Sequence, residues 1–315
     1  MFRIFILLIL FPMLTSAQEH DFPLQEGTII RLASPERGRA LLGEVDEFVK
    51  HLSPFDLQAK LDRTDEVSAE DYSAFAAEQV LEWSEEETGK MAEIVRQSQE
   101  AIAAKGLQLR LPEVIEVVKS TILEEGSAAG YTRGQYIVLA EKGISLGTFI
   151  HELFHVYSRN NPEKEAELYE IIGFHRCNEV PYPAAIEARR LTNPDAPFNH
   201  DFIRIEHEGK EKEAMMVLFG NKDFEGGSFF QYLSIRLMLI EGEEDHKKAL
   251  LQDGEPVLLS FNDVDKLFEQ IGRNTNYNIH PEEISAEHFR LLLTAEEEGP
   301  DQILIEKMQA ALSKM

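Results

Sequence analysis

The sequence predicts an α+β fold with a mostly helical N-terminal region. Three observations carry that expectation. Apolar residues recur at helical spacing through most of residues 18–126. At Gly126 the texture changes to a stretch rich in Gly and small residues, and a short β-branched and aromatic run follows at 135–140. Beyond that run, helix-like and alternating segments mix as far as residue 315. The expected organisation is therefore a leader at 1–17, a helical region at 18–126 and an α+β domain at 127–315.

In order along the chain, residues 1–17 read as a signal peptide. Arg3 supplies a positive start, 4–14 a short apolar run, and Thr15, Ser16 and Ala17 the small residues before a cut near Ala17. The apolar run is too short to span a bilayer, and no later stretch is long and apolar enough to do so. No cysteine stands directly after the run, which argues against a lipid anchor. The expected location is secreted or periplasmic.

Leu41, Leu42, Val45, Phe48, Val49 and Leu52 predict a helix over 39–52, ended by Pro54. Ser68 opens a second, with Tyr72, Phe75, Ala76 and Val80 on one side. Ser84 and Glu87 form a capping-box pattern, and the helix they open should reach about 105, closed by Gly106. Pro112 then opens a helix expected over 113–123. Nothing in this region forms a catalytic constellation, so it reads as a helical support.

Residues 135–140 read as a strand, broken at Gly143. A helix starts near Ser145 and stops before Asn160-Asn161-Pro162. If that strand is a sheet edge beside a cleft, its free backbone groups can pair with an extended peptide. A helix over 162–172, capped by Asn161, comes next. The stretch 173–200 is loop-rich, with prolines at 181, 183, 194 and 197. Residues 202–207 and 214–219 flank Glu208-Gly209-Lys210 as a hairpin, and 229–240 and 256–261 read as strands. Asn262 caps a helix over 263–271. Pro281 suits the first turn of another, in which Ile284, His288 and Leu291 share one face and Glu283 and Glu287 another. A last helix is expected over 300–313.

The formal net charge of −26 argues against nucleic acid and anionic membrane surfaces as partners. The single cysteine, Cys177, cannot form an internal disulfide and reads as a small buried residue.

The chemistry-bearing stretch is Ile150-His151-Glu152-Leu153-Phe154-His155-Val156-Tyr157. On a helix His151 and His155 lie one turn apart on the same face, close enough to hold one metal ion, with Glu152 beside them. Neutral imidazoles suit Zn2+, and an adjacent carboxylate can serve as a base without filling the open coordination position. The flanking Phe149, Ile150, Leu153, Phe154, Val156 and Tyr157 make the helix apolar on most sides, as a buried metal helix requires.

His-Glu-x-x-His on a helix resembles the zincin metallopeptidases. Glu283-Ile284-Ser285-Ala286-Glu287 extends the likeness to their thermolysin-like gluzincin branch, where a glutamate on a later helix completes the metal site and an acid four residues on holds a ligand histidine. The resemblance covers about 128–160 and 278–292. It departs from the branch in having Glu282 directly before the chosen glutamate, and in the long β-rich stretch between the two motifs. The metzincin continuation is excluded, because Asn161 stands where its third histidine would be.

The resemblance implies a zincin-like metallopeptidase domain. It makes His151, His155 and Glu283 the ligands of one zinc ion per chain, Glu287 the partner of a ligand histidine, and Glu152 the general base. Glu170, His175, Glu282 and Glu287 stay open as alternatives for the third ligand. Tyr157, Tyr277, His280 and His288 are candidates for stabilising a developing oxyanion. The expected substrate is a peptide or protein. The rivals are a non-catalytic binding protein on a zincin-like fold and a zinc hydrolase acting on a non-peptide bond. Neither oligomeric state nor side-chain preference leaves a signal.

Overall fold

Strands from both sides of residue 126 join in one mixed sheet. The computed structural model describes residues 20–294 and 299–313; the expected signal peptide lies outside them. The sheet contains β1 (His20–Gln25), β2 (Thr28–Leu32), β3 (Val114–Ser120), β4 (Gly130–Arg133) and β5 (Tyr136–Ala140), in the order β1-β2-β3-β5-β4. β2, β3 and β5 run parallel; β1 and β4 are antiparallel to their neighbours. The expected boundary near residue 126 falls between β3 and β4.

Helices cover both faces of this sheet. On one side lie α1 (Pro35–Leu42), α2 (Glu47–His51), α3 (Pro54–Leu61) and α4 (Ala69–Glu78). On the other lies α5 (Glu85–Ala104), opened by the Ser84–Glu87 capping box, with α6 (Leu146–Asn160), α10 (Pro281–Thr294) and α11 (Gln302–Leu312); between α6 and α10 in the chain come α7 (Pro162–Ile171), α8 (Ala184–Glu187) and α9 (Leu267–Ile271). The pleat sorts the side chains: Ile115, Val117, Ile137 and Leu139 face α5 and α6, whereas Val118, Val138 and Ala140 face the α1–α4 layer.

Residues 113–123 are not a helix. Val114, Ile115, Val117 and Val118 form a strand covered on both faces, and such a strand reads as a continuous apolar run with no clean alternation. The helix expected over 39–52 is two helices. The Gly43 N–H closes α1 on the Arg39 carbonyl, and the Asp46 carboxylate opens α2 by accepting from Val49 N. Pro54 stands at the start of α3, not only at the end of its predecessor.

A second, antiparallel sheet fills the gap between α7 and α10. It holds β6 (Phe174–Arg176), β7 (Asp201–His207), β8 (Lys210–Gly220), β9 (Leu233–Glu241) and β10 (Lys248–Ala249), with β13 (Leu258–Leu259) pairing β9; β11 (Leu251–Gln252) and β12 (Glu255–Pro256) form a small separate ladder. The β7–β8 hairpin turns at Glu208 and Gly209, both at positive φ (52° and 70°), as a two-residue turn matched to strand twist requires. The run expected as a strand from 229 begins at Leu233, after a 3-10 turn at Phe229–Gln231. The helix expected over 263–271 is shorter, and so is the strand expected over 256–261. Cys177 is half-buried against the outer face of this sheet, and burial pushes its thiol up to about 11.

The insertion of this sheet explains the long spacing between the two motifs. α7 and Ile284 of α10 pack on its inner face. α10 then returns along α6, where Phe154 meets Phe289 at 5.5 Å between ring centroids. Among the described residues no helix is long and apolar enough to cross a membrane.

Candidate metal centre

α6 begins at Ser145, whose hydroxyl accepts from the Thr148 N–H at 3.1 Å. Two turns of helix then set His151 and His155 side by side, with ring centroids 4.8 Å apart. Both rings face the first turn of α10. The partial positive charge at that helix start favours the carboxylates of Glu282 and Glu283.

The two rings are held in the same way. His151 Nδ1 donates to Glu287 Oε1 at 2.9 Å, and His155 Nδ1 donates to Glu282 Oε1 at 2.8 Å. Each Nε2 is thereby left to face Glu283, whose Oε2 lies 3.0 Å from His151 Nε2 and 3.6 Å from His155 Nε2. Donor atoms of His151, His155 and Glu283 all lie within 4.8 Å of one another. The outer carboxylates are themselves fixed. Arg290 donates to both oxygens of Glu287; Ser158 and the Tyr169 hydroxyl donate to Glu282. Asn193 Nδ2 donates to Glu283 Oε1 at 2.6 Å, which turns the other oxygen toward the histidines.

The residues present fit a divalent cation. His155 Nε2 and Glu152 Oε2 are buried without a hydrogen-bond partner. A buried polar atom left in that way is costly unless something else satisfies it. Carboxylates that fix the imidazole tautomer, leaving the second nitrogen for an ion, are the usual support of a ligand histidine.

The same carboxylates dominate the protonation of the metal-free protein. Burial opposes charge on His151, but Glu283 and Glu287 outweigh it and hold the ring well above the ordinary histidine range. His155 is raised to about 9 against its own burial by Asp195, Glu283 and Glu282. Glu283 and Glu287 fall to about 2 despite burial, drawn down chiefly by His155 and His151 respectively. Burial, then the neighbouring Asp195 charge, raises Glu152 to about 8.

The remaining candidates separate clearly. His175 sits on β6 and Glu170 is exposed on α7; neither belongs to the cluster. Glu282 stands behind His155, not among the converging donor atoms. His280 Nδ1 accepts from the Glu282 N–H at 3.1 Å, so it caps α10. His288 is buried in the helix packing, and desolvation lowers it to about 4. Tyr157 packs in the core of the α6 layer. Tyr277 is the candidate beside the cluster: its ring lies 6.4 Å from that of His151, and the residue is 46% exposed.

The strand at 136–140 is a core strand and not a sheet edge. β5 is interior, between β3 and β4; the edge is β4, in a stretch that reads as turn formers. Its far end is pinned by buried Arg133, which donates to Asp46 Oδ2 and the Glu44 carbonyl, both at 2.9 Å. Gly130 gives Glu152 its room. A Cβ there would lie 2.8 Å from Glu152 Oε1 and 3.1 Å from the Val138 carbonyl.

Sequence reasoning missed Asn193 and Asp195. Both sit in the loop-rich stretch, on either side of Pro194. The Thr132 N–H and hydroxyl on β4 donate to Asp195 Oδ1, each at 2.7 Å. A carboxylate oxygen of Asp195 also lies within 4.8 Å of donor atoms of Glu152 and His155.

No family model matches the chain, and no curated protein or solved structure matches it either. What the chain has is a mixed α+β architecture in which a His-Glu-x-x-His helix and a later glutamate build a cluster that can hold a divalent metal ion.

Proposed function

We propose that this protein is a secreted zinc-dependent metallopeptidase of the zincin type. One observation carries the reading: His151 and His155 present Nε2 to a single Glu283 oxygen, with Glu152 alongside. Two imidazoles and a carboxylate are the donor set of a catalytic zinc with one side left for substrate. Held by His151, His155 and Glu283, zinc would supply Lewis acidity toward the scissile carbonyl and the attacking water.

The other steps belong to the chain's own side chains. Glu152 takes the water's proton on its unpartnered Oε2 and passes it to the leaving amine. Tyr277, at the rim beside His151, supplies a hydroxyl to the developing oxyanion. Export rests on the leader expected at residues 1–17.

A second reading is a metal site that binds without catalysing. It is favoured by the burial of Glu152, His155 and Glu283, which are 4%, 0% and 1% exposed. The deciding experiment loads the mature protein with zinc and offers it unfolded, alkylated protein. Cleavage that stops with a chelator and returns with zinc is expected; zinc bound at about one per chain with no cleavage after long incubation selects the second reading.

Gly130→Val supplies a further check on the base. A Cβ at this position would lie 2.8 Å from Glu152 Oε1 and 3.1 Å from the Val138 carbonyl, so the added side chain crowds the base directly. Hydrolysis should fall at least about 10²-fold, the lower range of what a positioned base contributes, with zinc content unchanged. Full turnover in this variant would remove Glu152 from its role.

A further inference from the structure

Residues 192–195 cross the metal centre and close it. Their root is fixed: the Thr192 N–H and hydroxyl donate to Asp56 Oδ1 and Oδ2 at 3.0 and 2.7 Å. From there the grip on the site is polar. Asn193 Nδ2 donates to Glu283 Oε1, and its own Oδ1 accepts from the Asp195 N–H at 3.0 Å. Asp195 Oδ1 takes the Thr132 N–H and hydroxyl, and Arg159 donates to the Asp195 carbonyl at 3.1 Å. The segment thus ties the third-ligand helix α10 to the edge strand β4 across the mouth of the site.

The covering is tight. Thr132 lies on an edge strand, where outward backbone groups are normally free, yet it is fully buried. Beside the segment stand two buried atoms that lack partners, His155 Nε2 and Glu152 Oε2, and a carboxylate oxygen of Asp195 lies within 4.8 Å of donor atoms of both residues. With this segment in place Glu152 is 4% exposed.

We propose that residues 192–195 form a displaceable strap, and that in the resting protein the Asp195 carboxylate occupies the side of a bound zinc ion that substrate must take. The inference rests on the metallopeptidase reading. Residues 193–195 are half-buried, and the contacts above are polar. The Thr132 N–H that Asp195 occupies is a group to which a peptide carbonyl can bond instead. One displacement therefore opens the ion and the edge strand together, so substrate exchanges for the strap group by group.

The test compares zinc-loaded full-length parent, Asp195→Asn and Asp195→Ala. Asparagine keeps an acceptor for Thr132 but removes the anionic ligand, so it separates a ligand from a mere anchor. Three readouts are taken: the rate of zinc loss to excess chelator, the visible spectrum of the cobalt-substituted protein, and hydrolysis of unfolded protein. Both variants should lose zinc at least about tenfold faster, the lower range for removing a supporting group at a metal site. Both should shift the cobalt bands and hydrolyse faster than the parent. Parent-like zinc loss and cobalt spectrum in Asp195→Asn would reduce Asp195 to an anchor and overturn the proposal. Faster zinc loss with slower hydrolysis would make Asp195 a permanent part of the site, and overturns the strap while leaving the peptidase reading intact. Zinc held by all three with no hydrolysis by any would overturn that reading itself and the strap with it.

Discussion

Replacing Glu152 by glutamine leaves a protein that still binds zinc and no longer hydrolyses peptide bonds. The expected fall in turnover is between about 10² and 10⁴-fold, the contribution of a positioned general base. Glutamine keeps the size of the side chain, so it still fits against Gly130, where there is no room for a Cβ. It cannot accept a proton. Zinc content should hold, because the three converging donor atoms come from His151, His155 and Glu283. Burial and the neighbouring Asp195 charge raise Glu152 in the metal-free protein, so both disfavour a charge that glutamine does not carry. The measurement is turnover of an unfolded protein substrate alongside metal content and a thermal melt. Hydrolysis within about threefold of the parent, with zinc in place, would mean that another group moves the proton.

How much of this was legible in the sequence depends on whether the signal was local. The pair His151 and His155 was legible because helical spacing alone brings their rings together. Glu283 and Glu287 were legible as a pair on one helix face, and the structure sets each against His151. Glu282 is one of the alternatives for the third ligand, and its position behind His155 follows from how α10 is rotated against α6, which no local pattern encodes. β3 was misread because a strand covered on both faces loses its alternation. β4 lies hidden in a stretch rich in Gly and small residues, where Gly130 serves the packing of Glu152. Asn193 and Asp195 left no trace at all: they reach the site from a loop, through contacts with residues 90 and 63 positions away.

His151→Ala and Glu283→Ala should each cost zinc affinity more than the roughly 10- to 100-fold typical of losing a group that only supports a ligand. Glu282→Gln and Glu287→Gln fall within that range, since they loosen His155 and His151 without removing a donor. Affinity that survives Glu283→Ala would move the third ligand elsewhere. Proton competition gives the same assignment a second, independent signature. In the metal-free protein His155 rises from 6.5 to about 9, so its contribution to stability is complete below about pH 6.5 and is lost as pH rises through about 9. Glu152, raised from 4.5 to about 8, adds to the loss in that direction. Glu283 and Glu287, depressed from 4.5 to about 2, contribute above about pH 4.5 and lose that contribution as pH falls toward 2. The metal-free protein should therefore melt lower at pH 9 than at pH 6.5, while zinc, which needs the bare imidazoles, should bind more tightly over the same rise. The gap between the melting temperatures of the loaded and metal-free protein should widen from pH 6.5 to 9. A gap that stayed constant would mean that zinc displaces no proton from these histidines, and that the ion binds somewhere other than between α6 and α10.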